Sequence, residues 1–401
     1  MTLKRPTHPL MLVVVSIAVV FGLHNATFWS IWAEVFEDFN GRGVVFSGAF
    51  FLLCCGLVSV FAFNRLLRPF IAFLFVLSAV TSFYMDQLGV VIDREMIQNT
   101  VSTTITEGRH LITAPFIIWV CLAGFLPAVL VFYIRISNRS FVKAIWQNLL
   151  ALLLCVVGFV GLIATDLKGN ASVLRTRIDL KSSFQPLAPI VESFRYVAML
   201  TRSATLEFNE IGLDAVLVED FNASGKPKLT VVVVGETARA QNFSLGGYGR
   251  LTNPELAKKD IAYFQNVSSC GTSTAVSLPC MFSKFDRSAY SYELGKSHEN
   301  VLDVVQRAGY RVEWIENNTG DKGLAARVAY SSVTYADYPA FCGEGECVDG
   351  ILVEEVIQRL GGIQSATVLV LHQIGSHGPA YYLRYPEAFE RFQPACRTSN
   401  F

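Results

Sequence analysis

Five apolar stretches, at 9–28, 44–63, 70–88, 114–134 and 144–164, are each long enough to cross about 30 Å of hydrocarbon, which takes roughly 20 helical residues. All five lie in the first 165 of 401 residues. A backbone in lipid must satisfy its own hydrogen bonds, so these stretches read as membrane helices. The first follows Lys4 and Arg5, as the core of a signal peptide would. Its apolar run exceeds the roughly 7–15 residues of such a core, and no small-x-small cleavage site follows, so it is expected to remain as an anchor.

Loop charge orients the bundle. Lys4 and Arg5, then Arg65 and Arg68, then Arg135, Arg139 and Lys143 fall in segments without Asp or Glu. The alternate loops carry Glu34, Glu37, Asp38, Asp86, Asp93, Glu95 and Glu107. The first set is cytoplasmic by the positive-inside rule, and five crossings put everything after 165 on the far side, in a bacterium the periplasm. Only 16% of the chain is charged, and Lys plus Arg equals Asp plus Glu at 33 each. A nucleic-acid partner is excluded on that balance. Transport is disfavoured too, because the spans hold hardly any ionisable residue. His24 and Asn25 lie beside Phe28 and Trp29, where a wet aromatic belt at the outer interface explains them.

The remainder divides into a polar connecting segment with some surface helix, 166–225, and a soluble domain, 226–401. Residues 229–234 form a short β-branched run, expected as a strand buried on both faces. Residues 301–307 have helical spacing, 310–315 are strand-like, a helix ends at Gln358 and Arg359, and 367–371 form a second buried strand. This alternation predicts a mainly parallel sheet covered by helices. Functional groups in such sheets gather at the carboxyl ends of strands. Glu236 follows the first run, and His372 and His377 follow the later one. Glu236 is equally a zinc ligand or a helix-capping carboxylate on this reading; His372 alone reads as a satisfied strand-end histidine.

Cys270 with Cys280 and Cys342 with Cys347 are short-range exported pairs, suited to disulfides in an oxidising compartment. A zinc knuckle fits less well, because neither spacing is C-x-x-C. The first pair brackets a hydroxyl-rich loop containing Thr274. Such a clamp suits a nucleophile, although by composition alone the loop is an ordinary surface turn.

Together Gly235-Glu-Thr-Ala-Arg239, Cys270-Gly-Thr-Ser-Thr-Ala275 with Pro279-Cys-Met-Phe-Ser283, and Gly375-Ser-His-Gly-Pro379 closely resemble the lipid A phosphoethanolamine transferases, the polymyxin-resistance type. The resemblance runs along essentially the whole chain. It implies a five-helix anchor, residues 1–165, followed by an alkaline phosphatase/sulfatase-like α/β domain. It also implies zinc held by Glu236 and by the nucleophile Thr274, and a phosphoethanolamine pocket lined by Thr319 and Lys322. His377 matches a histidine contacting phosphate or a second metal, and His372 is a weaker candidate. Asn99, Thr103 and Glu107 match a membrane-surface helix that takes the donor head group. Spacing by four would place those three on one stripe of a helix, which is also what an ordinary solvated face looks like.

The implied reaction moves phosphoethanolamine from phosphatidylethanolamine to a lipid A phosphate through a phospho-threonine, catalysed by a monomer in the bacterial inner membrane. The alternatives are another phosphatase or phosphodiesterase of the superfamily, or a non-catalytic membrane remnant. The family's other zinc ligands, in an Asp-His-Gly-Glu segment, match nothing before residue 401, so a chain truncated within its catalytic domain is expected.

Overall fold

The computed structural model describes residues 6–36, 41–103, 105–217, 226–334, 336–343, 346–378 and 380–397. The chain forms two compact units, one of residues 1–97, 112–196 and 400–401, the other of residues 98–111 and 197–399.

Among the described residues of the first unit, four helices are long and apolar enough to cross a membrane: Gly41–Ser59, Leu67–Leu88, Ala114–Tyr133 and Phe141–Ala164. Gly41–Ser59 packs along Phe141–Ala164 because small residues let the backbones approach. A Cβ on Gly56 would stand 2.8 Å from Cys155 Cβ, and one on Gly158 would stand 2.8 Å from a Leu52 methyl. Pro127, which has no N–H to donate, follows a π-helical turn at Val120–Phe125 within the third of these helices. The fifth span differs from the expected single helix. Pro9–Leu23 and Ala26–Val35 meet at 71°, so the count is five only if the bent pair is one span.

The bend has a polar cause. Asn25 donates Nδ2 to Val20 O at 3.0 Å and to Gln185 O at 3.3 Å, and its Oδ1 accepts from Gln185 N at 2.8 Å. His24 Nε2 lies 3.1 Å from Ala123 O. Both side chains are buried, so they join parts of the unit instead of standing in a wet belt. Residues 166–196 belong to this unit as well: Leu180 and Phe184 lie in its apolar core.

The second unit is built on a parallel sheet of β1 (Leu229–Val234), β2 (Arg311–Glu316), β3 (Ala329–Ser332) and β6 (Thr367–His372), in the order β1-β6-β2-β3. A two-stranded ribbon, β4 (Cys342–Gly343) and β5 (Glu346–Cys347), stands apart. Alternate side chains feed two apolar layers. Val312, Trp314, Val368 and Val370 pack with Leu278, Phe282 and Leu302. Ile315, Leu369 and Leu371 pack with Ile351 and Leu352 on Gly350–Leu360.

Helix Val301–Arg307 starts in a capping box in which Asn300 and Asp303 serve each other's backbone N–H groups. One expectation changes here. β6 is buried along its whole length, but β1 is an edge strand with Val231 and Val233 exposed. The two apolar runs look alike, and position in the sheet separates them.

Candidate active site

The register places Val234, His372 and Glu316 side by side at the carboxyl ends of β1, β6 and β2. The chain therefore leaves three adjacent strands at one edge, carrying Glu236, Asn317 with Asn318, and the loop 373–378. Thr274 arrives from outside the sheet as the first residue of helix Thr274–Met281. The Cys270–Cys280 disulfide ties the loop before that helix to its last turn.

Thr274 Oγ1 donates to Glu236 Oε2 at 2.8 Å, and Thr237 Oγ1 donates to Glu236 Oε1 at 2.9 Å. His377 Nδ1 stands 3.8 Å from the same Oε1. Burial alone would raise the Glu236 pKa, but hydrogen bonds from His377, Thr274 and Thr237 outweigh it and hold the carboxyl down at about 2. Glu236 is thus a fixed anion with a hydroxyl against it. The capping alternative does not describe it, since the short 3-10 turn that follows, Ala240–Asn242, has Arg239 at its N-cap.

Backbone geometry makes this placement specific. Thr237 has φ +54°, a left-handed conformation uncommon for a β-branched residue. Gly375, at φ +50°, lies directly beneath Glu236: an added Cβ would meet Glu236 O at 2.9 Å and Glu236 Cβ at 3.0 Å. The histidine loop is pinned from below by Asp349, whose Oδ1 accepts from Ile374 N at 2.9 Å and whose Oδ2 accepts from Gly375 N at 3.2 Å. Asn317 Nδ2 donates to Asp349 Oδ1 at 3.1 Å, while its Oδ1 accepts from Ile374 N at 3.0 Å. Burial pushes the Asp349 carboxyl up, against those hydrogen bonds. Arg384 Nε donates to His377 O at 2.9 Å and holds the far side of the loop.

Asn318 joins the two halves of the site. Its Nδ2 donates to Gln373 O at 2.6 Å, lies 3.1 Å from His372 Nε2 and 3.5 Å from Glu236 Oε2. His372 turns its other nitrogen, Nδ1, to Glu316 Oε2 at 3.1 Å and is fully buried, as its strand-end reading anticipated. Lys322, also in the left-handed region at φ +53°, donates Nζ to Thr319 Oγ1 at 3.0 Å and to Thr319 O at 2.6 Å.

Glu236, Thr274 and His377 are therefore brought together, with Thr319 and Lys322 paired on the adjoining loop. Sequence reasoning did not single out Asp349, Asn317, Asn318 or Gly375 as supports. A glycine two residues ahead of the motif histidine was the one readable sign. Cys342–Cys347 is also bonded, across the β4–β5 ribbon. The expected single stripe of Asn99, Thr103 and Glu107 is interrupted. Helix Arg94–Ser102 ends before Thr103, Thr103 Oγ1 turns back to Asn99 O at 2.9 Å, and a second helix, Ile105–Leu111, carries Glu107. The hydroxyl-to-carbonyl bond closes the first helix at the position the stripe needed to continue. The Glu107 side chain lies outside the described residues.

The donor set suits a borderline divalent cation: an ionised carboxylate oxygen and a hydroxyl 2.8 Å apart, beside an imidazole. Among the described residues no three His, Cys, Asp or Glu side chains converge.

Residues 50–200 match the family described as phosphoethanolamine transferase EptA/EptB, and residues 228–401 match the sulfatase family. The phosphatidylethanolamine transferase Mcr-1 of Escherichia coli is 33% identical over 414 residues, covering 98% of this chain and 75% of its own length. The phosphoethanolamine transferase EptA of Escherichia coli K12 is 38% identical over 340 residues; the match covers 84% of this chain and 62% of EptA. The solved integral membrane lipooligosaccharide phosphoethanolamine transferase A from Neisseria meningitidis superposes with a TM-score of 0.89, at 32% identity, over 97% of this chain and 73% of that one. The protein is accordingly an inner-membrane protein with a periplasmic domain of sulfatase type. By sequence, by fold and by the residues gathered at the strand ends, this chain belongs to the phosphoethanolamine transferase family.

Proposed function

We propose that the protein transfers phosphoethanolamine from phosphatidylethanolamine to a phosphate of lipid A, using Thr274 as nucleophile. The added ammonium offsets the acceptor's negative charge and weakens its attraction for cationic peptides such as polymyxin. The observation that carries this reading is the Thr274 hydroxyl 2.8 Å from the Glu236 carboxylate, at the head of a helix. The sulfatase-like fold is typically metal-dependent. We take the ion to be zinc, held by Glu236 and Thr274, where it supplies a Lewis acid that lowers the hydroxyl's pKa.

The chain's own groups account for the rest. Glu236 fixes the rotamer of Thr274 so that Oγ1 keeps a lone pair free for phosphorus. The helix N-terminus favours the negative charge that develops there. As the Oγ1–P bond forms, the bond from phosphorus to the diacylglycerol oxygen breaks, and that oxygen leaves with the proton from Thr274. Lys322, oriented by Thr319, offers its ammonium to the oxygens of the transferring group. His377 stands at the same place from the opposite loop. Asn99, Thr103 and Glu107 are assigned to the donor's ammonium, for which Glu107 supplies the opposite charge. A lipid A phosphate oxygen then takes the phosphoryl group, and Thr274 recovers its proton.

Intact-mass measurement and peptide mapping after incubation with phosphatidylethanolamine test the reading. One phosphoethanolamine on Thr274, absent in Thr274→Ala, is expected. An adduct on Ser273 or Thr237 would refute the nucleophile, and free phosphoethanolamine without modified lipid A would make water the acceptor. Zinc content per chain, lowered in Glu236→Gln, checks the metal.

A further inference from the structure

A cavity of about 170 Å³ opens beside the helix that begins at Thr274, and Lys322 is part of its wall. Pro279 belongs to its wall and to the helix that begins at Thr274. Its polar lining consists of Lys296, Lys322, Arg327, His298, Asn300, Tyr290 and Tyr292, and no Asp or Glu lines it among the described residues.

Two glycines shape it. A Cβ on Gly323, which has φ +87°, would collide with Lys296 Nζ, and one on Gly295 would stand 2.8 Å from the Tyr290 hydroxyl. Both approaches depend on the missing side chain.

The cations of the cavity are not equally available. Arg327 is committed to Asp303, with Nε to Oδ1 at 2.8 Å and a second nitrogen to Oδ2 at 2.6 Å, and it stacks on Phe208 at 4.8 Å. Lys296 donates to one neutral acceptor, Lys322 O at 3.1 Å, and lies 5.8 Å from the centre of the Tyr292 ring. Burial lowers the Lys296 pKa, and the nearby carboxylate Asp321, whose Oδ2 accepts from Ala325 N at 2.6 Å, offsets this only in part. An ammonium with three donors and one such bond retains capacity for an anion.

We infer that this cavity seats the phosphorylated sugar of the acceptor, with Lys296 as its phosphate-binding residue. This deepens the transfer reading and rests on it. The choice of acceptor over donor follows from charge. A phosphate monoester carries close to two negative charges, whereas phosphatidylethanolamine brings an ammonium that a cationic wall without carboxylates repels. The two tyrosine rings offer flat faces to a sugar, and their hydroxyls are donors for its oxygens.

Titration of the full chain in detergent with N-acetylglucosamine 1-phosphate, inorganic phosphate and N-acetylglucosamine tests the inference. The sugar phosphate is expected to bind, the neutral sugar is not, and Lys296→Ala should weaken binding roughly tenfold while Lys296→Arg retains it. Lys296→Ala should also form the Thr274 adduct at the wild-type rate and pass it to lipid A more slowly. Equal binding by wild type and Lys296→Ala, or equal passage to lipid A, would overturn the assignment. Phosphate binding as tightly as the sugar phosphate would make the cavity a free-phosphate site and overturn the acceptor claim. Absence of the adduct in the wild type would instead refute the transfer reading, so the two failures are distinguishable.

Discussion

Two carboxylate–imidazole pairs end neighbouring strands of one sheet, and they are built for opposite purposes. Glu316 and His372 are each 1% exposed, 3.1 Å apart, and fully engaged. Trp314 Nε1 donates to Glu316 Oε2 at 3.1 Å and the Tyr330 hydroxyl donates to Oε1 at 2.8 Å. Glu236 and His377 are 12% and 13% exposed and 3.8 Å apart, and what Glu236 holds most closely is two threonine hydroxyls. The first pair has no room for a further partner. The second is a carboxylate with the proposed nucleophile Thr274 set against it and solvent within reach. Residue type alone does not make a site; the number of bonds already satisfied does.

Removing the hydroxyl that the second pair holds should have the largest effect. Thr274→Ala is expected to lower transfer by about 10³-fold or more, as removal of a nucleophile does, with little loss of folded protein. Thr274→Ser should keep the adduct, read by mass. Breaking the first pair should act on stability. Glu316→Ala strands Nδ1 of His372, Nε1 of Trp314 and the Tyr330 hydroxyl, at a cost of about 3–5 kcal/mol. The apparent unfolding midpoint should fall by roughly 6–20 °C. Adduct formation at 20 °C should survive in the folded fraction; its abolition would move Glu316 into the catalytic group.

How much of this was legible follows the same division. Apolar runs announced the membrane helices and strands β1 and β6, and the order of motifs announced Glu236, Thr274 and His377. The kink at His24 and Asn25 was not legible, because its cause is a partner 160 residues away at Gln185. The edge position of β1 was not either, since 229–234 is at least as apolar as 367–372 and strand order is what sets them apart. The supports Asp349 and Asn318 reach the site through tertiary pairing and carry no local signature. The interrupted stripe at Thr103 shows the converse error, a period read as continuous through a residue that ends its helix.

Gly375 sharpens the comparison by acting on one pair only. Gly375→Ala must accept a left-handed φ, costing about 1–2 kcal/mol. It must also push Glu236 by a few tenths of an ångström, because the added Cβ would sit 2.9 Å from Glu236 O. A displacement of that kind should slow adduct formation about 10- to 100-fold. Gly309→Ala is the control, since Gly309 has φ +105° and nothing within 4 Å of an added Cβ. It should show the loss in stability without the loss in rate. Equal rates in both variants would mean that Glu236 tolerates the shift.

The smallest effect concerns acid. Burial would raise the Glu316 pKa, but hydrogen bonds from His372, Tyr330 and Trp314 prevail and hold it below its ordinary value. A carboxyl whose folded pKa is depressed contributes stability above its unfolded pKa, about 4.3, and loses that contribution as pH falls through the folded value. Wild type should therefore exceed Glu316→Gln in unfolding midpoint by a constant margin from pH 7 to about pH 5. Below about pH 4 the margin should narrow, because the wild-type carboxyl is then neutralised, as the amide always is. The Thr274 adduct, measured in parallel from pH 7 to 5, should not follow the margin, because Glu316 takes no part in the transfer. A margin that widens on acidification would contradict a Glu316 pKa held below its ordinary value.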